Sequence, residues 1–164
     1  MGDGQAIEQA RLTSWRSLIE QSGSLDERSK LQAVNDFINR SVSYGTDRQI
    51  WGVDDYWATP LETLSRGRGD CEDFALLKRK MLVDRGVDPA DLLMTVVLQP
   101  NGEGHAVLTV RTDRGDFVLD NMRSKVMLWS ETEYTYLKRQ SIDDPGAWVK
   151  LQDGRANAVA SVRK

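Results

Sequence analysis

Apolar residues recur at helical spacing from Ile7 to about Gln21, as Ile7, Ala10, Leu12, Trp15, Leu18 and Ile19, which predicts an amphipathic helix. Ser24-Leu25-Asp26-Glu27 has the form of a capping box and predicts a second helix, with Leu31, Val34, Phe37 and Ile38 on one face. The pattern then breaks. From Tyr44 to Pro60 the aromatic residues Trp51, Tyr56 and Trp57 sit among Gly, Asp and Thr without a sustained period, which reads as a long aromatic loop. Pro60–Ser65 reads as a short helix with Pro in its first turn. Gly67-Arg68-Gly69-Asp70 is a turn cluster. Cys71–Arg85 follows as a helix whose apolar residues cover more than half of its circumference, so it should be central and buried, and Gly86 ends it.

Beyond Gly86 the period changes to that of strands. Leu92–Leu98 is a continuous apolar run, and His105–Arg111 and Asp116–Asp120 flank an Asp-Arg-Gly turn. Val126–Trp129, Tyr134–Leu137 and Trp148–Leu151 are shorter strand candidates, and Arg155–Lys164 reads as a frayed tail. Helices first and strands later predict an α+β fold with an antiparallel sheet. No repeat or linker divides the chain, so residues 1–164 are expected to form a single domain.

Composition narrows the chemistry. Lys and Arg number 22 against 25 Asp and Glu, with no basic block, so nothing favours a nucleic-acid partner. No apolar run approaches the roughly 18 residues of a transmembrane segment. One cysteine and one histidine cannot build a Cys/His zinc site or a disulfide scaffold, and leave a single candidate for each catalytic role.

Cys71 is expected to start a buried helix, where free N–H groups and the helix dipole favour a thiolate and can hold an oxyanion. The alternative is a small core residue, as most free cysteines are. His105 and Asp120 depend on strand register. If Asp113 and Arg114 form a two-residue hairpin loop, Thr112 faces Gly115 and Val107 faces Asp120. His105 and Asp120 then share a face as diagonal neighbours, while Ala106, Leu108, Val110, Phe117 and Leu119 make an apolar set opposite. A one-residue slip would mix the two sets, so the pattern favours this register. Cys71, His105 and Asp120 would then supply nucleophile, base and orienter.

These stretches resemble the bacterial transglutaminase-like cysteine proteinases, the LapG family, within the papain-like fold. The resemblance lies in Asp54-Asp55-Tyr56-Trp57-Ala58-Thr59-Pro60-Leu61-Glu62, in Gly67-Arg68-Gly69-Asp70-Cys71-Glu72-Asp73-Phe74-Ala75, in Gly104-His105-Ala106-Val107-Leu108 and in Val118-Leu119-Asp120-Asn121. It spans about residues 10–150. It implies a calcium-dependent periplasmic cysteine endopeptidase with Cys71 as nucleophile, His105 as general base and then acid, and Asp120 as orienter of the imidazole. It further implies cleavage of the N-terminal region of a very large surface adhesin, with biofilm dispersal as the outcome. An inner-membrane receptor that reads cyclic-di-GMP would sequester the protease. The chain opens Met-Gly-Asp-Gly-Gln without a signal segment, so a periplasmic address implies that one has been trimmed. For the oxyanion hole the expectation is the Cys71 N–H with Trp57 as second donor, Trp51 and Tyr56 being equally available.

Calcium has support from the residues as well. Asp70, Glu72 and Asp73 crowd the nucleophile with carboxylates, which works against a thiolate. A hard cation held by these three residues would offset the repulsion. The competing account is that acidic residues in a first helical turn simply favour the dipole. Two rival functions stand beside the protease: a transglutaminase or amidase using the same three residues, and a catalytically inactive module that binds calcium or a peptide.

Overall fold

The computed structural model of the protein describes residues 9–14, 27–45, 59–144, 146–151 and 161–163. Residues 9–14 are helical, as their spacing predicts; the rest of that expected helix, the Ser24 cap and the aromatic loop with Trp51, Asp54, Asp55, Tyr56 and Trp57 lie outside the described residues.

Helix α1 (Glu27–Ser41) buries Leu31, Val34 and Ile38 of the expected stripe, together with Asn35, while Phe37 is only half-buried against the core. Helix α2 (Pro60–Arg66) is capped by Thr59, whose side chain accepts from the Glu62 N–H while the Glu62 carboxylate accepts from the Thr59 N–H. It ends at Gly67, whose φ of 69° is a left-handed conformation that glycine adopts without strain. The cluster that the sequence presents as a turn is partly a strand. Arg68–Gly69 (β2) pairs in parallel with Ser43–Tyr44 (β1), tying the end of α1 to the start of the next helix. That helix, α3 (Cys71–Asp84), buries Phe74, Ala75, Leu77, Met81 and Leu82, and each of the larger side chains contributes about 1.5–3 kcal/mol of hydrophobic stabilisation.

A seven-stranded sheet follows, built among the described residues from β3 (Leu92–Leu98), β4 (Gly104–Thr112), β5 (Gly115–Asp120), β6 (Arg123–Leu128), β7 (Thr135–Gln140), β8 (Ala147–Lys150) and β9 (Ser161–Arg163). Its order is β6-β5-β4-β3-β7-β8-β9 and every pairing is antiparallel. Ser161–Arg163 thus pairs with β8 where the sequence predicts fraying. Strand pairing there runs through backbone groups and needs no apolar run to announce it.

The β4–β5 hairpin has the register that the alternation favours, with Thr112 opposite Gly115, Arg111 opposite Asp116 and Thr109 opposite Val118. Leu108, Val110, Phe117 and Leu119 therefore face α1 and α3 in the main core. Val107 and Val118 face a second cluster with Val97, Tyr134 and Tyr136. His105 and Asp120 belong to this second face, at the end of the sheet next to the start of α3.

Candidate active site

Cys71 is the first residue of α3 and is half-buried. Asp70 caps the helix: its Oδ1 accepts the Asp73 N–H at 3.1 Å, and Asp73 Oδ2 accepts the Asp70 N–H at 3.0 Å. Gly69 permits this cap, because a Cβ at that position would come within 2.7 Å of Asp73 Cβ. The glycine before the cap is thus a close-packing requirement that fixes where the Cys71 backbone sits.

The structure brings His105 and Asp120 together. Nε2 of His105 lies 2.8 Å from Asp120 Oδ1, and the two residues are only 6% and 3% exposed. An ionised carboxylate can only accept, so Nε2 carries the proton and donates, which leaves Nδ1 for Cys71. Burial opposes the charged imidazolium, but hydrogen bonds to Asp120 and to Cys71, reinforced by their charges, outweigh it and push His105 up to about 9. Burial likewise works against an ionised Asp120, yet hydrogen bonds from His105, Tyr134 and the Met122 N–H hold it below the usual carboxylate range.

Sequence reasoning missed Tyr134. Its hydroxyl donates to Asp120 Oδ2, and its ring lies 5.7 Å from that of His105. Burial and then the hydrogen bond to Asp120 push its phenol up to about 12, so it stays protonated as a donor. Met122 N–H donates to Oδ1 at 2.9 Å, and Asn39 Nδ2 donates to the Asp120 backbone carbonyl at 2.9 Å. Each carboxylate oxygen therefore has a donor, and the strand end that carries it is tied to α1. Tyr44 is a second residue the sequence did not single out. It is exposed on β1, and partial burial followed by the acidic groups of Cys71, Asp70 and Glu103 raises its phenol above the ordinary value.

Asp70, Glu72 and Asp73 all lie at the start of α3, with Glu72 exposed and Asp73 buried. Among the described residues no three acidic or His/Cys side chains converge as a ready-made metal cage. Trp57 lies outside the described residues. A groove of about 360 Å³ is lined by Glu72, Leu76, Met94, Ala106, Lys138 and Trp148 among others. Its lining includes Glu72 and Ala106, the chain neighbours of Cys71 and His105, and by strand alternation Ala106 faces away from His105.

A cysteine at the start of a buried helix, set against an antiparallel sheet that presents a buried His–Asp pair, defines a papain-like, transglutaminase-like α+β fold. More narrowly, the chain belongs to the bacterial transglutaminase-like cysteine proteinases, a family whose pattern matches residues 13–156. It is a cysteine peptidase by that membership. Calcium-bound LapG of Legionella pneumophila has a similar structure, with a TM-score of 0.74 and 29% identity over 98% of this chain and 92% of that one. The EGTA-treated form of the same protein gives 0.75 and 25% identity over 98% and 89%. A 65-residue stretch, 40% of this chain, is 38% identical to the UPF0252 protein of Pyrococcus horikoshii, and it spans only 19% of that relative's length.

Proposed function

We propose that this chain is a calcium-dependent cysteine endopeptidase of the periplasm that cleaves the N-terminal region of a large surface adhesin. The observation that carries the reading is the buried His105–Asp120 pair at 2.8 Å, with Cys71 close enough at the start of α3 to help raise the His105 pKa. The Cys71 thiolate attacks the scissile carbonyl, and the C–S bond forms as the oxyanion develops at the start of α3, where the Cys71 N–H is directed. Collapse of this intermediate expels the amine, which takes the proton held at His105 Nδ1. Water, giving its proton to the same nitrogen, then breaks the thioester and frees Cys71. Asp120 keeps the imidazole in one orientation and stabilises its charged form throughout.

Calcium joins the reading because the similar Legionella protein has a calcium-bound structure. Asp70, Glu72 and Asp73 supply donors of the right type, hard carboxylate oxygens. Asp70 Oδ1 and Asp73 Oδ2 accept the two hydrogen bonds of the helix cap, so a cation held by these residues would sit directly beside the cap that positions Cys71. Held by these residues, a calcium ion would supply fixed positive charge beside the thiolate.

The partner side of the reading follows the family. An inner-membrane receptor that reads cyclic-di-GMP sequesters the protease by covering the cleft between α3 and β4, and release of the protease frees the adhesin and disperses the biofilm. Hydrolysis is distinguished from acyl transfer by digesting an adhesin N-terminal fragment in ¹⁸O-water with a primary amine present. The reading expects two fragments with ¹⁸O in the new carboxylate. Amine in the product, with no ¹⁸O, would make the chain a transglutaminase instead.

A further inference from the structure

Two turns along α3 from Cys71, on the face shared with Phe74 and Met81, lies Lys78. Its side chain is 0% exposed, and Nζ has no hydrogen-bond partner. The Phe74 ring, 5.7 Å away, is the contact that receives it. An amine buried without partners is costly, and its persistence calls for a cause. Among the described residues, the charged groups that act on it are Asp120 from the sheet and Asp36 from α1. Three other buried acceptors lack donors: Oδ1 of Asn35 and Asn39 on α1, and Oδ1 of Asn121 in the β5–β6 turn. The two α1 asparagines already donate to that turn, Asn35 to the Arg123 and Ser124 carbonyls and Asn39 to that of Asp120. Helices α1 and α3 and strand β5, which carry or adjoin these atoms, pack on one another, and buried polar groups without partners are a setting suited to buried water.

We propose that Lys78 is a positioning residue of the active site, which sets the charge behind Asp120 and helps to fix the turn that carries it. The inference rests on the reading of Cys71, His105 and Asp120 as one unit. With the thiolate, imidazolium and carboxylate all formed, that unit has a net charge of −1. A protonated Lys78 favours this state, and a neutral one does not. Burial lowers Lys78 to about 7, while the charges of Asp120 and Asp36 pull it back up. Its ammonium therefore supports the site below neutral pH and withdraws above it.

The experiment compares Lys78→Met with the wild type by the rate at which iodoacetamide alkylates Cys71, the one thiol of the chain, between pH 5.5 and 9. Alkylation reads the charge network whether or not a peptide is cut, so a failed peptidase assay would sink the proposed function and leave this test standing. Methionine fills the same space without charge, so the melting temperature should hold or rise. The wild type should react about fivefold faster at pH 6, and the two rates should converge above pH 8. Superimposed profiles, or a ratio constant with pH, would overturn the proposal. Should Lys78→Met not fold, the wild type alone decides by NMR. The ring signal of its one histidine should show a step at the pH where the Lys78 side chain titrates, and its absence would overturn the proposal.

Discussion

Asp120→Asn is the sharpest perturbation of the site, because it removes a charge while keeping size and an acceptor oxygen. In the wild type, His105 is raised from 6.5 to about 9, which favours the imidazolium in the fold by about 3 kcal/mol at roughly 1.4 kcal/mol per pH unit. Asp120 supplies the largest part of what opposes burial, and the bond to Cys71 supplies less. Without the carboxylate charge, burial is left to dominate, and the His105 midpoint should fall by about two units or more. Catalytic loss should follow the same energy, a drop in kcat/KM of about 10²–10³ at pH 7. The stability difference has a predictable pH window. A raised His105 contributes stability that is complete below pH 6.5 and fades as pH rises through about 9. A lowered Asp120 contributes stability present above its unfolded value near 4 and lost on acidification. The wild type should therefore exceed Asp120→Asn most between about pH 4.5 and 6.5, with the gap closing on both sides. Titration of the single imidazole by NMR, with chemical denaturation at several pH values, measures both quantities. A variant whose His105 midpoint stays near 9, or whose stability deficit does not change with pH, would refute the reasoning.

Tyr134→Phe removes the donor to Asp120 Oδ2 and leaves that oxygen buried and unpaired, so stability should fall by about 1–3 kcal/mol in urea melts, with activity falling alongside. Wild-type stability and activity here would show that the hydroxyl contact is incidental. Chelation should lower both activity and melting temperature, and calcium but not magnesium should restore them, as differential scanning fluorimetry with an activity assay will report. Asp70→Asn separates the two roles of that residue: asparagine caps a helix as well as aspartate, so the calcium-free melting temperature should hold while the calcium response weakens. A full calcium response in Asp70→Asn would remove Asp70 from the ligand set.

The hairpin that joins His105 to Asp120 was legible because only one register puts Leu108, Val110, Phe117 and Leu119 on one face. The position of Cys71 was legible for a similar reason, since a Gly-rich cluster, a capping aspartate and an apolar run mark a helix start. What escaped are contacts that no local period encodes. Tyr134 reaches Asp120 from a segment that no β5 strand pairing brings alongside, so neither alternation nor spacing links them. Lys78 is followed by Arg79 and Lys80, residue types that seldom bury, so residue type gives no sign of its place in the core. Its spacing of four from Phe74 and three from Met81 put it on the buried face all along. The two-residue pairing of β1 with β2 is equally silent, since Ser43, Tyr44, Arg68 and Gly69 show no strand pattern.

The central claim is that Cys71, held with His105 and Asp120, cuts a peptide bond. Digestion of an N-terminal adhesin fragment by the wild type and by Cys71→Ala, read by intact-mass spectrometry, tests it most directly. Cys71 is half-buried and its removal opens little space, so the variant should keep the wild-type melting temperature. The account predicts two product masses from the wild type and uncut substrate from Cys71→Ala; the same two products from both proteins would contradict it.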